Sequence, residues 1–422
     1  MAGQAIVGAE FVPKHERPRR VRRLAILLFL AYASLITIFQ GIQNILLPPV
    51  VERLAPDAKV GTLALLATLA SVTTVVALFV GGAISDRTRS RWGRRTPSLV
   101  LSCLASVALL PLMGLASSVV QLLILMPLLW FTLNYYQSVL LAALPDRIPK
   151  HELGFASAAI GLGAPVGIFA GVNIGAFAPT TMLGYVFLAV PISILTCCLV
   201  LIEPEPSSLD EPQRVRKSLT LQSFREQFSS LKDRNFALAL ASRFLMFLCY
   251  FSVTGYLFYV LQDYVGAAQL PYESVSVGVS TVMSLMTLSW LVITPLVGMV
   301  ADRFRRTAFI VAMVSFGAAV VTLLPGVTND WTVMLLFGLG TGVMFGTYFV
   351  LDLKLATLVL PSADTAGRDL GLLLAAGSAP GVFSFAIAAS LIAFSGYPAL
   401  FVFGAIVAFA GGLCAVFIRL RG

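Results

Sequence analysis

Between Leu24 and Ile418 the chain is a succession of apolar runs, each about as long as a lipid bilayer is thick, broken by short polar connections. A helix crosses the hydrocarbon layer with about 20 apolar residues. Inside lipid, a helix satisfies every backbone N–H and C=O within its own segment. Twelve runs have that length: 24–47, 60–84, 98–116, 119–144, 154–176, 182–202, 236–262, 273–299, 308–326, 332–356, 368–394 and 397–418. The expected fold is therefore an all-α membrane protein of twelve transmembrane helices. Only 12% of residues are charged, against about 25% in soluble proteins. The net charge of +9 does not imply nucleic acid, because nearly all the lysines and arginines lie in the connections between apolar runs.

Those connections orient the chain. Basic residues mark the cytoplasmic side of a membrane protein. With the N-terminus inside, the cytoplasmic segments hold Lys14, the Arg17 to Arg23 cluster, Arg87 to Arg95, Arg147, Lys150, Arg214 to Arg234, Arg303 to Arg306, Arg368, Arg419 and Arg421. The outer loops keep only Arg53 and Lys59. Both termini are thus expected in the cytoplasm, with the cell membrane as the location. The first apolar run is too long for a signal-peptide core and lacks an A-x-A site, so it reads as a retained span. The five cysteines, Cys103, Cys197, Cys198, Cys249 and Cys414, all lie in apolar runs and read as small buried residues. His15 and His151 are the only histidines. With no metal spacing and no nucleophile–histidine pair, neither a metal, nor a cofactor, nor an enzyme is expected.

The chain divides in two. Residues 1–23 form a basic tail, 24–202 a first half of six spans, 203–235 a polar linker, 236–418 a second half of six, and 419–422 a short tail. The halves repeat. "GGAISDR" at Gly81 to Arg87 returns as "VGMVADR" at Val297 to Arg303, with Asp86 and Asp302 216 positions apart. Pro145 and Pro361 are also 216 apart, "HELG" at His151 answers "RDLG" at Arg368 at 217, and Ala164-Pro165 answers Ala379-Pro380 at 215. Such repeats are the mark of transporters with a site at the interface between them.

The G-x-x-x-D-R pattern followed by arginines, after the second span and again after the eighth, resembles the signature of the major facilitator superfamily. The longer "SDRTRSRWGRRTP" of the first copy and "LDLKLATLVLPSADTAGRDLG" of the second half resemble the glycoside–pentoside–hexuronide cation symporters and related sucrose-type carriers. The resemblance implies the major facilitator fold and a cytoplasmic gate built from Gly82, Asp86, Arg87, Arg89, Gly93, Arg94, Arg95, Gly298, Asp302, Arg303 and Arg305. In this reading an Asp86–arginine pair bridges two helix ends, holds the inner side shut and breaks when the halves rock. Gly82 and Gly298 let a neighbouring helix approach. The alternative for the arginines is that they only enforce topology.

Ionisable residues inside spans are costly and functional by default. Arg243, Asp352 and Lys354 stand out. Helical spacing puts Asp352 on the face of Thr341, Phe345 and Tyr348, while Lys354 faces elsewhere and snorkels. Asp352 is read as either a proton-coupling carboxylate or half of a structural ion pair. Arg243 shares a face with Tyr250 and Thr254, as a binding residue or an interface anchor. Thr37, Gln40 and Asn44 in the first span, Asn134 and Gln137 in the fourth, and Tyr348 complete the substrate-binding candidates; contacts between helices would produce the same pattern. Glycines at every fourth position, Gly163 to Gly175 and Gly338 to Gly346, read as close-packing ridges.

The melibiose-type members that the chain resembles use carboxylates of the second and fourth spans for sodium. Here those spans carry none, so sodium is doubtful and a proton through Asp352 is the expected coupling ion. The expected function is secondary transport of a small organic solute by alternating access, with a sugar or glycoside implied by the resemblance alone, in a monomer embedded in the lipid bilayer. The alternatives are export of amphipathic drugs or metabolites, and a non-transporting pigment- or lipid-delivery or assembly protein of the same fold. A polar cavity would favour sugar, and an apolar one a drug or lipid.

Overall fold

The computed structural model describes residues 17–149, 152–209, 229–301, 306–360, 372–373, 376–377 and 379–419. Twelve long helices run through them: α1 (Arg20–Leu54), α2 (Lys59–Arg87), α3 (Thr96–Gly114), α4 (Val119–Arg147), α5 (Leu153–Ala176), α6 (Thr181–Ile202), α7 (Arg234–Thr254), α8 (Val275–Ala301), α9 (Thr307–Val327), α10 (Trp331–Leu358), α11 (Pro380–Ser395) and α12 (Tyr397–Val416). Eleven are long and apolar enough to cross a membrane, and α11 is a shorter apolar helix. The span expected at 368–394 starts in residues outside the described ones. Among the described residues there is no strand.

Two spans differ from the hydropathy reading. The first continues to Leu54 beyond the expected 47, through a π-helical turn at Ile42–Leu46. Pro48 and Pro49 have no N–H to give, and the Leu47 N–H bonds instead to Ile42, five residues back. The seventh, expected to reach 262, ends at Thr254; a short turn at Leu257–Tyr259 and a π-helical turn at Val260–Gly266 follow. Four helices are capped at their N-termini by a side chain, as Ser118, Thr180, Asp233 and Asp330 each accept a backbone N–H.

Packing repeats with the sequence. In the first half α1 lies on α5, α2 on α4 and α3 on α6. In the second half α7 lies on α11, α8 on α10 and α9 on α12. The halves meet where α5 packs on α8 and α2 on α11. Exchanging the halves turns one of these contacts into the other, so the helix packing between the halves is one contact made twice.

The glycine ridges are where the tightest of these pairs close. An added Cβ would meet the Ala33 carbonyl at Gly167, the Thr37 carbonyl at Gly171 and the Met286 carbonyl at Gly342. Gly298, in contrast, has no atom within 4 Å of its missing Cβ. The expectation that it brings a neighbouring helix close is therefore corrected. In the first half Gly81 sits at such a contact, where an added Cβ would stand 3.0 Å from the Tyr135 carbonyl. Of the cysteines, only Cys103 and Cys249 are buried, while Cys197 is exposed, which corrects the reading of all five as core.

Gly342→Ala should cost about 1–3 kcal/mol through overpacking, read as a lower thermal unfolding midpoint in detergent. Gly298→Ala should leave the midpoint unchanged or slightly raised.

Candidate transport site and its gates

Between the halves lies a cavity of about 130 Å³, bounded by Gln43 of α1, Ala67, Ala70 and Ser71 of α2, Met126 and Trp130 of α4, Phe251 of α7, and Gly381 and Phe385 of α11. Both halves contribute. The Trp130 ring is braced edge-on by Phe39, with centroids 5.4 Å apart. The Ser71 hydroxyl lies 2.8 Å from the Ala67 carbonyl and 3.2 Å from the Gly381 carbonyl. The wall is otherwise aromatic and aliphatic, with the Gln43 amide as its remaining polar side chain.

The polar residues singled out from the sequence do not line this cavity. Thr37 is buried and donates to the Ala33 carbonyl of its own helix. Asn44 donates to the Gln40 side chain at 2.7 Å. Asn134 donates to Thr74 at 3.0 Å and to the Trp130 carbonyl at 2.8 Å, joining α4 to α2. Gln137 is half-buried one turn further along α4. These are contacts between and within helices. Tyr250 packs its ring on Phe345 at 5.0 Å, outside the cavity wall, and Thr254 donates to its carbonyl.

The charged candidates do come together. Arg243 Nη1 of α7 pairs with Asp352 Oδ2 of α10, both side chains being less than a tenth exposed. The Tyr348 hydroxyl donates to the other oxygen of Asp352 at 3.3 Å. Arg243 is thus no interface anchor. Its guanidinium lies over the Phe247 ring, 5.5 Å from the centroid, one turn below the cavity residue Phe251. Lys354 does not snorkel freely: its ammonium donates to the Ala301 carbonyl at 2.6 Å, tying α10 to α8.

At the arginine-rich end, Arg95 is the centre. It reaches Asp86 of α2 at 2.7 Å, Asp146 of α4 at 2.8 and 3.0 Å, and Ser85 at 2.5 Å. Arg94 is buried, whereas Arg87 and Arg89 are exposed. Gly93 adopts φ +88°, a backbone conformation natural to glycine, and the Glu205 side chain lies where its Cβ would stand. Glu205 in turn accepts the Arg95 and Thr96 N–H groups at 2.7 and 3.0 Å, neutralising the positive end of α3. Glu203, almost fully buried, accepts from Arg20 and Arg23. Every described partner here belongs to the first half or to the linker attached to it. The expected Asp86–arginine bridge exists, but it joins helices of one half rather than closing one half on the other. Asp302, Arg303 and Arg305 lie outside the described residues.

The opposite end is where the halves are latched. Lys59 bonds Glu52 at 2.8 Å and Asp263 of the second half at 2.9 Å, with its ammonium 5.0 Å above the Tyr259 ring. Gln262 donates to Glu52, and Tyr397 donates to Asp263 at 2.6 Å. Tyr259 donates to the Pro48 carbonyl at 3.0 Å and Tyr256 to the Val60 carbonyl at 3.2 Å. Asn173 of α5 holds Ser280 and Ser284 of α8 at 3.0 and 2.8 Å. Between described residues, the hydrogen bonds and ion pairs that join the halves lie at the cavity's level or beyond it toward this end.

A family model described as Major Facilitator Superfamily matches residues 24–279 and 264–422, which together take in nearly the whole chain. The chain belongs to the major facilitator superfamily. It is a multi-pass membrane transporter and not an enzyme, and a small-molecule substrate and a lipid bilayer come with that membership. Among solved structures it is similar to a bacterial homologue of the human lysosomal transporter Spinster, in an inward-facing and unoccupied conformation. That match has 13% identity and a TM-score of 0.63, and covers 96% of this chain and 95% of the other. At that identity the likeness concerns the fold. No curated protein matches in sequence.

Sequence reading missed the residues around this facilitator's cavity because it sought polar side chains, and the wall is mostly apolar. Gln43 was within reach, three residues from Gln40 on the same helix. Asp146 immediately follows Pro145 in the repeat landmark "LLAALPD", but its counterpart after Pro361 is Ser362, so the repeat drew no attention to it.

Removing one member of the buried pair, as in Arg243→Ala or Asp352→Ala, should cost about 3–5 kcal/mol by leaving a charge uncompensated. Arg243→Met with Asp352→Leu should cost less than either single change, measured as thermal unfolding in detergent. Lys59→Met should loosen the latch. With native cysteines replaced and Ser71→Cys as reporter, an impermeant maleimide applied from the latch side should label the cavity faster in Lys59→Met than in its parent.

Proposed function

We propose that this facilitator is a secondary transporter that works by alternating access on a small amphipathic organic solute. The observation that supports this reading best is the cavity wall. Trp130, Phe251, Phe385 and Met126 offer flat and deformable apolar surface, and Gln43 offers one amide to a polar substituent. A glycoside, the solute implied by the sequence resemblance to the cation symporters, carries many hydroxyls for which this wall supplies few partners. A static delivery or assembly protein would have no use for a cavity shared between two halves.

In this reading the latch around Lys59 closes the outer side, the arginine-rich side is cytoplasmic together with both termini, and the described state faces inward. The protein acts as a monomer in the cell membrane. The Arg95 cluster holds the first half together as it rocks. Asp352 is the proton carrier, because it is the carboxylate enclosed within the spans and its neutral form would release Arg243. Among the described residues, the groups facing Asp352 are Arg243 from α7 and the Tyr348 hydroxyl from its own helix.

The test is a ligand-panel thermal shift on purified protein, with amphipathic aromatic compounds set against disaccharides. At a hundred times its dissociation constant a ligand adds about 2.7 kcal/mol to the folded state. Amphipathic aromatics should stabilise the wild type and lose that effect in Trp130→Ala. In proteoliposomes, transport should depend on a pH gradient in the wild type and not in Asp352→Asn. Stabilisation by disaccharides alone would overturn the assignment in favour of a glycoside carrier.

A further inference from the structure

Arg243 is more than nine-tenths buried, yet only part of its guanidinium is used. Among the described residues its one hydrogen-bonded partner is Asp352, reached through Nη1. Nε is buried without an acceptor. Nε and Nη2 form the side edge of the guanidinium, the geometry that grips both oxygens of a carboxylate at once. That edge faces Gly377. A methyl group built on Gly377 would stand 3.1 Å from Nε and 3.4 Å from Nη2. Among the described residues, the missing side chain thus leaves room for no more than one atom, such as a single carboxylate oxygen, against the unused edge. The next atom it would meet is Cε2 of Phe247, at 3.5 Å.

The position matters as much as the space. Phe247 lies four residues before Phe251 on α7, and Gly377 four residues before Gly381, and Phe251 and Gly381 both line the cavity. On α7 four residues are about one helical turn, or 6 Å. The free edge of Arg243 therefore lies one turn below the cavity, toward the arginine-rich end, with the Phe247 and Phe251 rings, 6.1 Å apart, between the two. A buried arginine with an idle bidentate edge costs stability unless something uses it. No described residue does.

We propose that the Arg243 edge opened by Gly377 is an anion subsite. It takes the carboxylate of an amphipathic organic acid whose apolar body lies in the cavity among Trp130, Phe251 and Phe385. The inference rests on the cavity reading above and narrows it from amphipathic solutes in general to organic acids. It also explains why Asp352 stands on the same guanidinium. A second carboxylate brought to Arg243 is repelled by ionised Asp352 and accepted once Asp352 takes a proton, so acid and proton would travel together with no net charge. Anion binding should then tighten as pH falls.

The probes are 2-naphthoate and its neutral analogue 2-naphthamide, with binding to purified protein measured by isothermal titration calorimetry between pH 5.5 and 8. Naphthoate should bind wild type about tenfold or more tighter than the amide at the lower pH, as charge-assisted bonds to a buried arginine require. Gly377→Ala, which fills the space while keeping the ion pair, should weaken naphthoate about tenfold and leave the amide within about twofold. Arg243→Gln combined with Asp352→Asn removes both charges in shapes close to the originals; it should abolish both the preference for the acid and its pH dependence. Trp130→Ala should weaken both probes. Equal affinity for acid and amide, with Gly377→Ala indifferent and Trp130→Ala still harmful, would overturn the anion subsite and leave the cavity reading standing. Failure of both probes to bind would overturn both.

Discussion

A charge in the hydrocarbon layer must be paired, hydrogen-bonded or moved to the water, and the whole arrangement of this facilitator follows from how it meets that demand. Its described ion pairs fall into three places. One set gathers at the arginine-rich end around Arg95, a second at the opposite end around Lys59, and a single pair, Arg243–Asp352, stays inside. Between them the helices have little but shape to hold them, and the glycine ridges on α5 and α10 supply it by letting backbones touch.

The two terminal networks do different work. The Arg95 cluster stitches α2, α3 and α4 into one body and extends to the linker through Glu205. The Lys59 cluster crosses from one half to the other. On the proposed alternating-access reading, two rocking halves need both kinds of contact: strong ones within each half, and exchangeable ones between them that water can replace. Exposed and half-exposed ion pairs are worth little individually. That suits the Lys59 latch, whose Glu52 and Asp263 are each more than a quarter exposed.

The cavity and the buried pair lie on one path. Phe251 and Gly381 bound the cavity; Phe247 and Gly377, one turn away, bound the guanidinium. An apolar wall above a buried charge is a chemically asymmetric site. On the proposed reading it suits a solute that is apolar at one end and ionised at the other, with Asp352 already on the same guanidinium.

Much of this was written in the order of the residues. Hydropathy delimits the spans, because lipid thickness imposes a length on any helix that crosses it, and among the described residues it departs from the helices at Leu47 and Thr254, next to prolines and a glycine. The spacing of 216 residues announces two equivalent halves, and the intramembrane charges announce themselves by their cost. The spacing Gly-x-x-x-Gly announces the ridges. What remained hidden is everything that depends on which helix faces which. That Arg243 meets Asp352, that Arg95 chooses Asp146 as well as Asp86, that Lys59 reaches Asp263, and that Asn134 serves α2 rather than a solute are contacts between residues 51 to 204 positions apart. A helix presents side chains on all sides, and its sequence states their order around the axis but not the neighbour each will meet. Tertiary packing alone decides that, and here it turned the polar candidates into helix contacts and made apolar residues the wall of the site.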